Sequence, residues 1–324
     1  MLFGKNRPPY TTPHAAQASG GSTATERMLA TAIQEYVRER RLRRRWGIFF
    51  KLTLFLFFGG AAIAYFTVDE SLVSGEHTAL VEIDGIIGPD DLSADQVNQG
   101  LLNAFSAASS VGVILKINSP GGTPVQAAQI NAEITRLKAL YPDKPVYAAV
   151  TDVCASGGYY IAVAADEIFA HPSSIVGSIG VLMNGFGFVG AMEKLGVERR
   201  LIAAGENKAL LDPFSPVILA QKHHAQTIID EVHQQFIHAV KAGRGDRLSS
   251  NDSEIFSGLF WSGKTAMELG LVDRFGDVQL IARELLGAET LVDYSYRPAF
   301  VEQFADQVGT TLHSLLFGRS MQLQ

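Results

Sequence analysis

Residues 111–117 read Val-Gly-Val-Ile-Leu-Lys-Ile, and three residues later the chain turns through Gly121-Gly122. A nearly unbroken apolar run of that length is the pattern of a strand buried on both faces, as in a parallel sheet. Parallel strands need a crossover, and helical spacing begins at Pro124, a residue suited to a first helical turn. Ile130, Ile134, Leu137 and Tyr141 then recur on one face, and Pro142 closes the helix. The same alternation flanks this unit. Residues 79–87 are strand-like, 93–109 helical, 145–150 a strand, 157–165 a short apolar helix, 167–170 a strand and 217–242 a long amphipathic helix. Strand–turn–helix units in series predict an α/β fold: a mainly parallel sheet with flanking helices.

The N-terminal third is of another kind. Residues 46–68 form a 23-residue apolar run with one charge, Lys51. About 20 such residues span a bilayer, and a lysine near the end can reach the headgroups. The run is too long and too far from Met1 for an ordinary secretory signal, although Gly59-Gly60-Ala61-Ala62 keeps cleavage open. The expectation is therefore one transmembrane helix preceding the α/β part. Residues 1–45 hold nine of the chain's 27 Lys/Arg and three of its 33 Asp/Glu, a net of +6 against −12 for the remainder. The run Arg38-Glu39-Arg40-Arg41-Leu42-Arg43-Arg44-Arg45 abuts the apolar segment. The positive-inside rule then places the N-terminus in the cytoplasm and the rest beyond the inner (cytoplasmic) membrane, in the periplasm or its equivalent. Lipid headgroups are the expected partner of the basic arm, in preference to nucleic acid.

Four regions follow: a basic arm at 1–45, disordered over 1–22 where Pro, Ser, Thr, Gly and Ala dominate; the span at 46–68; one domain at 69–290; and an extension at 291–324. Cys154 is the sole cysteine, so no intramolecular disulfide forms. No Cys/His cluster has metal-ligand spacing, and neither metal nor cofactor is expected.

Two short segments carry the chemistry. Ser156 lies in Ala155-Ser156-Gly157-Gly158-Tyr159-Tyr160, at a strand-to-helix junction. Lys208 lies 52 residues later in Gly205-Glu206-Asn207-Lys208. A serine hydroxyl attacks a carbonyl only when a base takes its proton. Among the eight histidines, those from His223 to His238 are expected on the solvent side of their helix, which leaves His171 as the credible imidazole base. Lysine is the other candidate. With an ordinary pKa of ~10.4 it must be desolvated or set near other cations to act. Composition alone favours a solvated loop lysine for Lys208, and a helix N-cap for Ser156. The glycines after Ser156 let a carbonyl approach, and Gly121-Gly122 at a strand end offers amides for an oxyanion.

Four segments in order, Asn118-Ser119-Pro120-Gly121-Gly122, Ala155 to Tyr160, Gly177-Ser178-Ile179-Gly180-Val181 and Gly205 to Lys208, resemble the signal peptide peptidase A family in its short form. The likeness continues through Lys241-Ala242-Gly243-Arg244-Gly245, Trp261 to Ala266 and Leu269-Gly270-Leu271-Val272-Asp273, covering roughly residues 79–285. These are membrane-anchored Ser/Lys peptidases with a ClpP/crotonase-type fold. The resemblance implies Ser156 as nucleophile, Lys208 as general base and Ser178 as the hydroxyl that orients the lysine amine. It implies the amide of Gly122, with that of Gly157, as the oxyanion site. It also implies peptide substrates, namely remnant signal peptides, and ring-like homo-oligomers whose sites take serine and lysine from neighbouring protomers. The 45-residue basic arm exceeds what that fold requires. Two other classes remain: a crotonase-type acyl-CoA enzyme of the same fold, and a non-enzymatic membrane scaffold.

Overall fold

The computed structural model describes residues 22–67, 75–249 and 252–296. The chain divides into two compact units, Met1–Val73 and Ser74–Gln324. The expected disorder of 1–22 falls almost wholly outside the described residues, as does the extension beyond residue 296.

In the first unit one helix, α1 (Ser22–Thr67), runs for 46 residues. Among the described residues, no helix is long and apolar enough to cross a membrane. This corrects the expected transmembrane helix over 46–68. The run is interrupted by Lys51 and directly preceded by Arg43, Arg44 and Arg45. Single-pass topology, membrane anchoring and the periplasmic placement rested on that span and are corrected with it.

The second unit is mixed α/β. Its elements in chain order are β1 (His77–Ile87), α2 (Ala94–Ser106), β2 (Ser110–Gly122), α3 (Pro124–Leu140), β3 (Val146–Ala155), α4 (Gly157–Ala162), β4 (Glu167–Ala170), β5 (Ile175–Gly177), α5 (Val189–Leu195), α6 (Leu219–Arg244), α7 (Asp252–Ile255), β6 (Phe260–Ser262), α8 (Gly263–Glu268), β7 (Arg274–Phe275) and β8 (Leu291–Asp293). The sheet order is β6-β5-β3-β2-β1-β8, with β4 pairing β3 and β7 alongside. Every pairing is parallel except β5 with β6.

The central strand β2 shows why. Val113, Ile114, Leu115 and Ile117 have no solvent exposure, with α2 and α3 packed on the sheet. Each such burial contributes about 1.5–3 kcal/mol relative to exposure. Ser93 opens α2 as a capping box with Gln96, each side chain bonded to the other's backbone amide. The C-terminal strand ends of β1, β2 and β3 then meet the first turns of α3 and α4.

A buried ion pair lies at the other end of the sheet, beside the start of β4. Arg244, the last residue of α6, is 2% exposed. It donates two hydrogen bonds to Asp273, at 2.6 and 2.8 Å, and its Nε donates to the Gly270 carbonyl. Asp273 also accepts the Ile168 amide of β4 at 2.7 Å. One residue back, a methyl on Gly243 would collide with the Val163 carbonyl, so α6 closes onto the end of α4 only with glycine there. Burial raises the Asp273 carboxyl, but hydrogen bonds from Arg244 and Ile168 and the charges of Arg244 and Arg247 outweigh it and hold it below the ordinary carboxylate value.

A carboxyl lowered in the folded state adds stability above its unfolded pKa of about 3.9 and loses it as pH falls through the folded value. Asp273→Asn should therefore destabilise the fold at pH 7 by roughly 3–5 kcal/mol, because it strands the buried guanidinium. Urea titrations at several pH values check this. The gap between variant and parent should narrow below about pH 4; a variant as stable as the parent at pH 7 would contradict it.

Candidate active site

Ser156 stands between β3 and α4 with φ 51° and ψ −120°, outside the regions an L-residue ordinarily occupies. Such a backbone costs on the order of 1–3 kcal/mol and persists only where its surroundings hold it. Two hydrogen bonds do so: the Ser156 amide donates to the Gly177 carbonyl at 2.8 Å, and the Tyr160 amide donates to the Ser156 carbonyl at 2.9 Å. Its hydroxyl makes no capping bond to α4. The N-cap reading of Ser156 therefore describes its position but not what its side chain does.

The glycine turn ending β2 lies against it. Gly121 has φ 106°, and a methyl there would sit 2.7 Å from both the Ser156 Cβ and the Gly157 nitrogen. Thr123 donates its amide to the Ile87 carbonyl at 2.8 Å. Successive amides of a strand point to opposite sides, so the Gly122 N–H faces away from β1 and toward α4. A methyl on Gly157 would lie 3.2 Å from that Gly122 nitrogen. Ser156, Gly122 and Gly157 are thus one cluster, at the C-terminal strand ends.

Ser178 joins them. It follows β5 with φ 54°, anchored by its amide to the Leu259 carbonyl at 2.7 Å. Ser156, Gly122, Gly157 and Ser178 all line a cavity of about 960 Å³. One wall is apolar residues of α3, including Val125, Ala128 and Ala132; the other is α6, with Ile229, Val232 and Phe236.

Lys208 is not among the lining residues. It is exposed, at the tip of a string of tight turns in which its amide donates to the Gly205 carbonyl. Asn207, beside it, accepts a bond from Gln221 of α6 at 3.1 Å. The segment from Leu182 to Leu219 that carries this turn is apolar and largely exposed. Leu182, Phe186, Leu195 and Ile202 are 78, 82, 78 and 99% accessible, and α5 buries no residue. One chain therefore gathers Ser156 with the Gly122 and Gly157 amides but leaves Lys208 outside that cavity.

The histidines divide differently from expectation. His171 is exposed and lines a separate cavity with Asp152 and Asp277. His233, expected on the solvent side, instead lines the Ser156 cavity, with its Nε2 3.1 Å from the Ile179 carbonyl. The signal was present: His233 is four residues after Ile229 and three before Phe236, on the apolar face of α6. Cys154 is buried, which pushes its thiol well above the usual range and leaves it inert. Among the described residues no group of His, Cys, Asp and Glu could hold a metal ion.

A mostly parallel sheet with a strained serine at a strand end and amides facing it is the arrangement of an acyl-transfer hydrolase. At the family level the chain matches Peptidase family S49, over residues 138–291. It is 32% identical over 231 residues to a protein of Enterococcus faecium provisionally named signal peptide peptidase SppA, covering 68% of this chain and 66% of that one. It is 36% identical over 204 residues to a protein of Methanocaldococcus jannaschii provisionally named a protease, covering 62% and 63%. It is also 47% identical over 187 residues to a protein of Brucella abortus named Na+/H+ antiporter NhaA, covering 58% of this chain and 25% of that protein. The chain thus spans a quarter of the antiporter and about two thirds of the other two. The family match and the protease relatives support a serine peptidase activity.

Because Gly121 and Ser156 touch, Gly121→Ala should displace the serine. We expect covalent labelling of Ser156 by a fluorophosphonate to slow by on the order of 100-fold, as misplacements near 1 Å do. Comparing labelling rates of the variant and parent at equal folded fraction checks this; equal rates would show that the turn does not set the serine.

Proposed function

We propose that this chain is a serine endopeptidase in which Ser156 is the nucleophile and Lys208 the general base. The observation that carries the reading is the strained Ser156 backbone at the head of α4, set against the Gly122 amide in an open apolar-walled cavity. The neutral amine of Lys208 takes the Ser156 hydroxyl proton as the oxygen attacks a peptide carbonyl. The Gly122 amide, with that of Gly157, receives the tetrahedral oxyanion, and Ser178 orients the amine. The lysine then protonates the leaving nitrogen as the C–N bond breaks. Water, deprotonated by the same amine, releases the acyl group from Ser156. The ClpP/crotonase type is the fold this sheet order fits, and the protease relatives favour peptides over acyl-CoA substrates or a scaffold role.

Lys208 lies outside the Ser156 cavity of its own chain, so the base comes from a second copy. The exposed apolar segment around Lys208 is the surface that copy covers. Peptide substrates follow from the family likeness. Remnant signal peptides, implied by the resemblance to membrane-anchored peptidases, lose their support with the anchor.

His233 supports a second reading, because it lines the cavity in cis. The two readings separate cleanly. Ser156→Ala and Lys208→Ala should each lose peptide hydrolysis by several orders of magnitude, Lys208→Arg should be equally inactive, and the double variant should be little worse than either single one. Ser156→Ala and Lys208→Ala chains co-expressed in mixed oligomers should regain part of the activity. Turnover by Lys208→Ala together with an inactive His233→Ala would replace the lysine by the histidine. No rescue in verified mixed oligomers would remove the shared site but leave the peptidase.

A further inference from the structure

We propose that Ser119 is a positioning residue that aims the Gly122 amide at the reacting carbonyl; this rests on the peptidase reading above. Ser119 has no solvent exposure. Its hydroxyl donates to the Gly85 carbonyl of β1 at 2.6 Å and accepts the Gly121 amide at 3.1 Å. Both bonds fall where the sheet ladder cannot serve. Between β1 and β2 the register slips from Asp84↔Asn118 to Ile86↔Gly121, so Ser119 and Pro120 face Gly85 alone. Between β2 and β3 it slips again, from Ile117↔Val150 to Ser119↔Cys154, two residues before Ser156.

A slip in register leaves backbone groups without ladder partners, and Ser119 supplies one at each side of the gap. The far side of the gap is itself fixed, because the Ile86 amide donates to Asp91 at 2.8 Å. Gly121, with φ 106°, is free to rotate unless held. Ser119 fixes the peptide before it, and the pairing of Gly122 with Ile87 fixes the peptide after it. The Ser119 hydroxyl holds the Gly121 amide on the β1 side, which leaves the Gly122 amide, on the opposite side of the strand, aimed at the site. The Ser119 Cβ would also lie 3.3 Å from a methyl on Gly158, so the same residue supports α4 directly under the nucleophile.

The test uses the full chain with peptide hydrolysis and a peptide boronate, whose tetrahedral adduct on Ser156 places an oxygen where the oxyanion forms. Ser119→Ala should lower kcat by roughly 10- to 100-fold with KM within about twofold, since a misaimed donor acts mainly in the transition state. Boronate affinity should fall in parallel. Ser119→Cys, which keeps the shape but offers a weaker donor, should fall between, and it stands in should the alanine variant fail to fold. Thr78→Val removes another buried hydroxyl bond of β1, to the Ala288 carbonyl at 2.7 Å, far from the site, and should leave kcat unchanged. Parental kcat in both Ser119 variants, or an equal loss in Thr78→Val, overturns the proposal while the peptidase stands. A parent that neither hydrolyses peptide nor forms a boronate adduct overturns the peptidase reading, and this proposal with it.

Discussion

The left-handed backbone of Ser156 is the constraint around which the α/β unit is organised. A serine at φ 51° is unfavourable by itself, so the energy that keeps it there comes from the packing of α4. That helix has only six residues, too few to be stable alone. It is held at several points. Tyr159, fully buried, donates its hydroxyl to the Leu271 carbonyl at 2.9 Å. The Tyr160 ring packs on Phe236 of α6 with centroids 4.9 Å apart, and its carbonyl accepts Asn131 of α3. Val163 receives the close approach of Gly243. Arg244 and Asp273 then lock α6 to the loop after α8. Remote, well-buried contacts thus stabilise a local conformation that the residues between β3 and α4 would not adopt by themselves.

The same logic separates the two halves of the proposed dyad. The serine and its amides sit on the rigid ends of β2 and β3, where errors of position are small. Lys208 sits on an exposed segment with few internal contacts. A segment so poor in burial has little of its own to order it, and its apolar side chains gain most when another surface covers them. If Lys208 serves a neighbouring copy, as proposed, its positioning is a property of assembly, whereas that of Ser156 is intrinsic to the chain.

What the sequence disclosed and what it withheld follow a physical line. Local periodicity located most elements of the α/β unit: β4 coincides with the expected 167–170, and α3 starts at Pro124 as expected. β2 and β3 run five residues past the expected ends, through Gly122 and Ala155, because Gly121 and Gly122 still pair with β1 and Val153 to Ala155 pair with β5. Register slips were illegible, since pairing is a relation between strands far apart in sequence, and Ser119 was visible only as part of a glycine turn. Arg244 and Asp273, 29 residues apart, likewise gave no local sign of meeting. His233 was legible in the helical spacing of α6, between Ile229 and Phe236 on its apolar face. The apolar run at 46–68 was read from hydropathy alone, and among the described residues no membrane-crossing helix stands there.

The distribution of polar groups around the cavity closes the argument. A peptidase of broad reach needs few fixed charges beside its nucleophile, because each would demand a partner in every substrate. Among the described residues lining this cavity, Asp230 is the one carboxylate, exposed on α6 and bonded to Gln226 at 2.8 Å. Apart from Gln129, the α3 wall, with Val125, Ala128 and Ala132, is small or apolar. Small side chains leave room for a substrate backbone without selecting strongly among residues, since a methylene more or less is worth only about 1–3 kcal/mol. Discrimination in such a site comes chiefly from backbone geometry, set by the Gly122 amide and the turn after Ser178. That is why the residues fixing those two turns carry more of the function than the walls do.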